Sequence, residues 1–158
     1  MRGLAEVDRR YKRMMAVFDG VSGQELPSEL LSHYARYLSV LVAGFAEQSV
    51  KELASEFARQ QASLRVHRYV AQQLRMVWGL DVPKLQRLIE AMDPAWWDGI
   101  THDYPDELDA LASVAGLRNL IAHGQDAGVT IGTARSYAES INRLMRHLSR
   151  LMGDPSGA

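Results

Sequence analysis

The chain has 158 residues, of which 47% are hydrophobic and 23% are charged, an ordinary composition for one globular domain. Its formal net charge of −1 excludes a strongly basic protein that coats nucleic acid unselectively. The absence of cysteine excludes disulfides, thiolate zinc sites and cysteine nucleophiles. No apolar run is long enough to span a membrane, and the first residues lack the apolar core of a signal peptide. We therefore expect a cytoplasmic protein without membrane contact.

Apolar residues recur at three- and four-residue steps through most of the chain, which is typical of amphipathic helices. A first helix is predicted over 4–19 and a long second helix over about 27–61. Gly44 lies inside the second helix, where glycine costs stability, so we expect it to allow close packing of another helix. No segment reads as a strand. The sequence predicts an all-α fold, an antiparallel bundle of about five to six helices over residues 1–152, with a disordered tail at 153–158.

A third helix is predicted from Ser63, as its N-cap, to about Trp78. There is no acidic residue from Arg59 to Leu80, although the polar side of this helix carries several cations. Those cations are Arg65, Arg68 and Arg75. The segment is therefore either a basic track that follows phosphates or an ordinary exposed helix face.

Two tryptophans, Trp96 and Trp97, follow a short helix that begins at Pro83 and ends at Asp93-Pro94. Tandem tryptophans can stack on bases. They more often close the end of a helical core, and we favour that interpretation.

An acidic run follows the tryptophans and reaches into the next helix. Its members are Asp98, Asp103, Asp106, Glu107 and Asp109. These carboxylates would repel RNA if they lined its groove, so the run either faces away or supplies one carboxylate that tunes His123. His102 and Asp103 alone are too few ligands for a metal site, and no metal is expected.

The last helix is predicted to begin at Thr130, whose hydroxyl can cap it. Arg143, Arg146 and Arg150 recur at three- and four-residue steps along one side of this helix. We expect these three arginines to bind RNA by following its phosphates; the alternative is that they only solvate the helix.

The stretch from Leu117 to Gly124 contains an arginine, an amide and a histidine at the end of a helix. Gly124 is a natural residue to follow the helix, which places His123 in the last turn. Asn119 and His123 are four residues apart, so we expect Asn119 to orient the imidazole. Arg118 and His123 are five apart, about 140° around a helix, and would not meet side by side unless the last turn distorts or a second copy of the chain supplies the partner. Small residues on the Asn119 and His123 face would let another helix approach; they are Ala112, Ser113 and Gly116.

The segment Arg118-Asn119-x-x-x-His123-Gly124 resembles the signature of the HEPN (higher eukaryotes and prokaryotes nucleotide-binding) family. That signature is an arginine, a polar residue, often asparagine, a few spacers and then a histidine. The Ile-Ala-His-Gly ending and the Val129-Thr130 pair before the last helix are similar to the branch called RiboL-PSP-HEPN. The resemblance runs loosely over about residues 30–150, and only 118–124 is specific.

The resemblance implies a helical bundle that dimerises with its two motifs facing each other. It implies a metal-independent endoribonuclease without a cofactor, with Arg118 and His123 as the catalytic pair and Asn119 as a polar assistant. Many members are toxins or phage-defence effectors, so the implied partners are RNA, a second copy of the chain, and an antitoxin or regulatory protein. Other members only bind, and the alternative is a non-catalytic module for nucleotide, RNA or protein. A toxin branch carries a tyrosine two residues after the histidine, where this chain has Gln125, so modification of that tyrosine is not available here.

Overall fold

The computed structural model describes residues 2–153, which form seven α-helices and no strand. The predicted all-α class is confirmed, and the count exceeds the expected five to six helices. The helices are α1 (Arg2–Ser22), α2 (Ser28–Gln61), α3 (Leu64–Arg75), α4 (Val82–Met92), α5 (Pro94–Asp103), α6 (Pro105–Ala122) and α7 (Ile131–Gly153).

The longest helix, α2, is the centre of the fold and packs against α1, α3, α6 and α7. The helix α7 closes the bundle by contacting α1 and α6 as well. Apolar side chains from α1, α2, α6 and α7, joined by some from α4 and α5, meet in a single core, because each helix buries one stripe. The largest fully buried side chains include Phe18, Leu38, Leu53, Leu111, Ile141 and Leu148.

The helices α4 and α5 form a short pair that packs against α6. The side chains of Asp81 and Asp93 each cap one of them, accepting a hydrogen bond from the backbone at 2.9 Å in both cases. The sequence did not predict α5, because Pro94 and the tandem tryptophans suggested an ending and not a new start. Trp97 is only 7% exposed, and Trp96 packs edge-on against Phe57 with ring centroids 5.6 Å apart. The prediction that these tryptophans close the core is confirmed.

Several local predictions differ from the structure. No atom lies within 4 Å of the position that a Cβ on Gly44 would take, so the close helix contact predicted there is absent from residues 2–153. Ser63 is the N-cap of α3, but its side chain makes no capping bond. Thr130 does cap α7, since its Oγ1 accepts from the Thr133 amide at 3.1 Å. The tail predicted from Gly153 starts too early, because Gly153 still belongs to α7. Residues 154–158 lie outside the described residues.

None of the helices within residues 2–153 combines the length and apolar content needed to cross a bilayer.

Candidate functional site

The end of α6 places His123 at the surface. Gly124 has a φ of +68°, in the left-handed region that glycine adopts readily. Its amide donates to the Ile121 carbonyl at 3.0 Å, and the Gln125 amide donates to the Leu120 carbonyl at 2.9 Å. These paired bonds are a Schellman ending, with His123 as the C-cap. The predicted role of Gly124 is confirmed, and the imidazole projects from a fixed and exposed helix end.

Arg118 lies on the opposite side of α6, on the stripe that faces the core. It shares this direction with the buried Leu111 and Ala115, but it lies beyond the end of the core and is half-buried. Its guanidinium donates to Asn119 Oδ1 from Nη2 at 3.0 Å and from Nε at 3.3 Å. Within residues 2–153, no carboxylate forms an ion pair with Arg118. The site therefore presents a cation whose charge is not locally neutralised.

Asn119 does not play the role expected of it. Its side-chain oxygen accepts from Arg118, whereas its contact with His123 is the backbone hydrogen bond from the His123 amide to the Asn119 carbonyl at 3.1 Å. The side chain thus orients the guanidinium and not the imidazole. No hydrogen bond joins the Arg118 and His123 side chains among the described residues, as the helical angle between them predicts.

The guanidinium of Arg118 packs against the connection between α3 and α4. A Cβ added to Gly79 would lie 2.9 Å from Arg118 Nη2 and 3.1 Å from Cζ. The guanidinium therefore packs directly against the glycine backbone, at a distance that leaves no room for a side chain. Gly79 also has a φ of +62°, which favours glycine for a second reason. The sequence did not reveal this contact, since Gly79 lies 39 residues before Arg118.

Glu47 of α2 holds this connection in place. Its Oε2 accepts from the Gly79 amide at 2.8 Å and from the Leu80 amide at 3.3 Å, while Oε1 accepts from Lys51 at 2.7 Å. We call these contacts the Glu47 clasp. The sequence offered only a weak signal for this clasp. Glu47 is the first acid after the acid-free, largely apolar stretch 30–46 in α2.

The electrostatics of the Glu47 clasp favour the ionised carboxylate. Burial alone would raise the pKa of Glu47, but the Lys51 hydrogen bond and charge and the backbone amides of Leu80 and Gly79 outweigh it, so the pKa is lowered. The lowered pKa means that the carboxylate remains charged, and its bonds intact, throughout the neutral range.

Two lysines and a tryptophan surround the same connection. Lys84 donates from Nζ to the carbonyls of Trp78 and Gly79 at 2.8 and 2.9 Å. The Lys51 ammonium lies 5.5 Å from the centroid of the Trp78 ring, a cation–π contact. Trp78 is nevertheless 73% exposed. The neighbourhood of Arg118 thus combines cations with an open aromatic ring.

The acidic run does not reach His123. Asp106 is in the first turn of α6 and His123 follows its last, so about 25 Å of helix separates them. Glu107 instead pairs with Arg143 at 2.8 Å. His102 contacts Asp103 at 2.7 Å, and within the described part of the chain no third metal-ligating side chain joins them. The idea that an acid of this run tunes His123 is therefore wrong.

The three arginines of α7 that were predicted to bind RNA differ in whether they form ion pairs within the chain. Arg143 pairs with Glu107, and Arg146 pairs with Asp8 at 2.7 Å. Arg150 makes only a long contact of 3.5 Å with the Tyr104 hydroxyl. Two of the three charges are thus balanced within the chain, which weakens the prediction that α7 follows a phosphate backbone.

The side of α6 that carries His123 is open along its length. Ala112, Ser113 and Gly116 are exposed on it, together with Leu120 at 37%. A groove of about 320 Å³ runs between this face and the start of α7. The face is flat because its side chains are small, and the structure leaves it uncovered up to His123.

Comparison of the chain with models of known protein families, with curated proteins and with solved structures finds no match. The functional interpretation therefore depends on the residues themselves.

The Glu47 clasp generates a pH-dependent prediction. Because the folded-state pKa of Glu47 lies below its ordinary value of 4.5, its stabilising contribution is present above that pH and is lost as the pH falls through the folded-state pKa. Glu47→Gln is expected to lower the free energy of unfolding at pH 7 by about 1–3 kcal/mol, since charged hydrogen bonds are lost. The difference from the wild type should shrink below about pH 4.5. Urea unfolding between pH 7 and pH 3.5 measures both.

Glu52→Gln is the matched control, because Glu52 lies on the same helix and forms no ion pair within residues 2–153. It should change stability by less than about 0.5 kcal/mol. Equal losses in the two variants, or a Glu47→Gln loss that does not depend on pH, would contradict the clasp.

Proposed function

We propose that the protein is a metal-independent endoribonuclease of HEPN type, in which Arg118 of one protomer works with His123 of a second. The proposal is supported by the contacts of the Arg118 side chain and the exposure of His123. Arg118 is held in one orientation by a neutral amide, no acid among residues 2–153 pairs with it, and His123 is exposed at a rigid helix end.

The separation of the two side chains around α6 supports a site shared between two chains. A side chain on the core-facing stripe and another about 140° away cannot act on the same phosphate from one straight helix. The small, uncovered face that ends at His123 would allow a second α6 to approach closely. A two-fold dimer presents every site twice, so two Arg118–His123 pairs would form at once.

RNA supplies its own nucleophile, the 2′-hydroxyl, so the protein needs only to transfer protons and to stabilise the charge on the phosphate. His123 takes the proton from the 2′-hydroxyl as its oxygen attacks the adjacent phosphorus, and water protonates the 5′ oxygen as that bond breaks; alternatively His123 protonates the 5′ oxygen and water accepts the proton of the 2′-hydroxyl. Arg118 binds the phosphate with its planar fork and stabilises the negative charge that develops on it. The products are a 2′,3′-cyclic phosphate and a 5′-hydroxyl. Asn119 acts as the positioning residue for Arg118.

A second candidate function is a non-catalytic module that binds RNA, a nucleotide or another protein through the same residues. Its support is specific: Asn119 does not orient His123, and two of the α7 arginines are balanced by acids. In this account Arg118 binds a phosphate and no bond is cleaved. A toxin or phage-defence role in the cytoplasm, with an antitoxin or regulatory protein as its restraint, belongs to the first candidate alone.

The ribonuclease proposal predicts cleavage of RNA in EDTA. Arg118→Ala and His123→Ala should each lower the rate by about 100-fold or more, because each removes a group that acts in the transition state. The measurement is gel analysis of a labelled RNA, with mass spectrometry of the cyclic phosphate end. The controls are Arg13→Ala and His102→Ala, which remove the same side chains from exposed positions elsewhere.

The outcomes separate the two candidates. Cleavage that requires added Mg²⁺, or cleavage that survives both site substitutions, would contradict the ribonuclease. Absence of cleavage together with RNA binding that requires Arg118 would support the binding module.

The contact between Gly79 and Arg118 predicts a second effect on activity. Gly79→Ala and Gly128→Ala both place a side chain at a positive φ, +62° and +55°, so both should lose about 1–2 kcal/mol of stability. Only the Cβ at Gly79 meets Arg118; nothing lies within 4 Å at Gly128. We expect RNA cleavage to fall about tenfold further in Gly79→Ala than in Gly128→Ala, since small misplacements of a positioning group are costly. Equal activities at equal stability would show that the support from Gly79 is unimportant.

A further inference from the structure

The third helix is attached to the bundle by one side only. Among the described helices, its only substantial packing is with α2. Leu74 is its single buried residue, and His67 makes a long contact of 3.5 Å with Ser55 of α2. Most of the remaining residues of α3 are exposed, as are Met76 and Trp78 in the connection that follows it. They contain a concentration of exposed large apolar side chains: Leu64, Val66, Tyr69, Met76 and Trp78.

The outward side of α3 carries arginines and an aromatic ring together. Arg65 lies opposite the buried Leu74 on the helix. Around the helix axis it is about 60° from Arg68 and about 40° from Tyr69. Arg75 lies about 20° from the line of Arg68, two turns further on. The ring of Tyr69 is 63% exposed. Arg65 thus lies between Tyr69 on one side and Arg68 and Arg75 on the other, and the four side chains spread over about 120° of the helix surface and about 15 Å of its length.

No acid in the described part of the chain balances the charges on this face. The segment 57–80 contains four arginines and no acid. Arg59 pairs with Glu56 at 2.6 Å, but no ion pair to Arg65, Arg68 or Arg75 is formed by any residue from 2 to 153. This is the reverse of α7, where Arg143 and Arg146 both have carboxylate partners. The chain has a net charge of −1, so affinity for a polyanion must come from such a local surface.

The outward face of α3 leads towards the Arg118 site. Trp78 follows α3 by three residues, and the next residue, Gly79, is the one on which the Arg118 guanidinium rests. The exposed Met76 lies between the helix and Trp78 and is 71% exposed. A chain lying along α3 would therefore reach Gly79 and Arg118, where the Glu47 carboxylate is paired with Lys51.

We propose that α3 and its connection form a track for single-stranded RNA, made of Arg65, Arg68, Tyr69, Arg75 and Trp78. The arginines bind phosphates, and Tyr69 and Trp78 stack on bases. The choice of RNA as the strand rests on the proposed ribonuclease function, while the binding surface rests on its own charge and aromatic pattern. The track binds substrate away from the reacting bond and delivers it to Arg118.

The arrangement fits a nucleic acid better than a membrane surface. A helix that inserts into a bilayer buries a continuous apolar face and keeps its cations on the other side. In α3 the apolar side rests on α2 through Leu74, and the outward side mixes Arg65 and Arg68 with Tyr69. Insertion would bury those arginines. Stacking on successive bases instead requires rings and cations on one side of the helix.

The test measures binding without cleavage, so that it remains valid if the protein is not a ribonuclease. The probe is a fluorescent 20-nucleotide 2′-O-methyl RNA of mixed sequence, which lacks the nucleophilic hydroxyl. The first variant is Arg65→Gln/Arg68→Gln/Arg75→Gln, and the second is Tyr69→Ala/Trp78→Ala. The control is Arg9→Gln/Lys12→Gln/Arg13→Gln on α1, which makes the same change in net charge. Anisotropy gives Kd across a salt series.

We expect the α3 arginine variant to weaken binding at least tenfold and to flatten the slope of log affinity against log salt by about 2, as the loss of three phosphate contacts on a single strand requires. The aromatic variant should weaken binding about tenfold with the salt slope unchanged, because stacking releases no counterions. The α1 control should change Kd less than about threefold.

Three results would overturn the track. One is RNA binding that is the same in the α3 arginine variant and in the wild type. Another is equal loss in the α3 and α1 variants, which would mean that only net charge matters. The third is binding to phosphatidylserine vesicles that the α3 substitutions abolish while RNA binding remains, which would assign the face to a membrane. Binding through α3 without any cleavage would keep the track and reject the ribonuclease.

Discussion

A single carboxylate, that of Glu47, determines where the connection between α3 and α4 lies, and the Arg118 site depends on that position. The carboxylate accepts the amides of Gly79 and Leu80, so the backbone of Gly79 is presented to the guanidinium. Lys51 compensates the charge of Glu47 and at the same time lies over Trp78. The Glu47 carboxylate on the central helix thus helps to fix two things: the backbone of Gly79 that Arg118 packs against, and, through Lys51, the position of the exposed Trp78 ring.

The two ends of the motif are fixed by different means. Arg118 is oriented by Asn119 and by contact with Gly79, whereas His123 is placed by a helix ending that Gly124 terminates. Neither constraint brings the two side chains together. The helical separation between them is a geometric reason to expect a second chain at the site, and the small-residue face of α6 is a surface on which it could lie. Under the proposed function, one chain therefore supplies half of a site.

Much of the fold was predictable because it follows from local rules. The apolar spacing of α1, α2 and α7 and the cap at Thr130 all act over a few residues. The site was predictable only where it is local: the sequence indicated Arg118, His123 and the ending at Gly124. The Glu47 contact with Gly79 spans 32 residues, and no local pattern records it. The pairing of Arg143 and Arg146 with acids from other helices was hidden for the same reason.

Under the proposed function Arg118 of one protomer acts with His123 of the other, and mixing two inactive variants tests this directly. Arg118→Ala and His123→Ala are purified separately, mixed in equal amounts under conditions that allow subunit exchange, and assayed for RNA cleavage. In a mixed two-fold dimer one site keeps both intact residues, so the mixture should recover about a quarter of wild-type activity. A mixture that exchanges subunits, shown by mass spectrometry, and remains as inactive as its components would contradict the shared site.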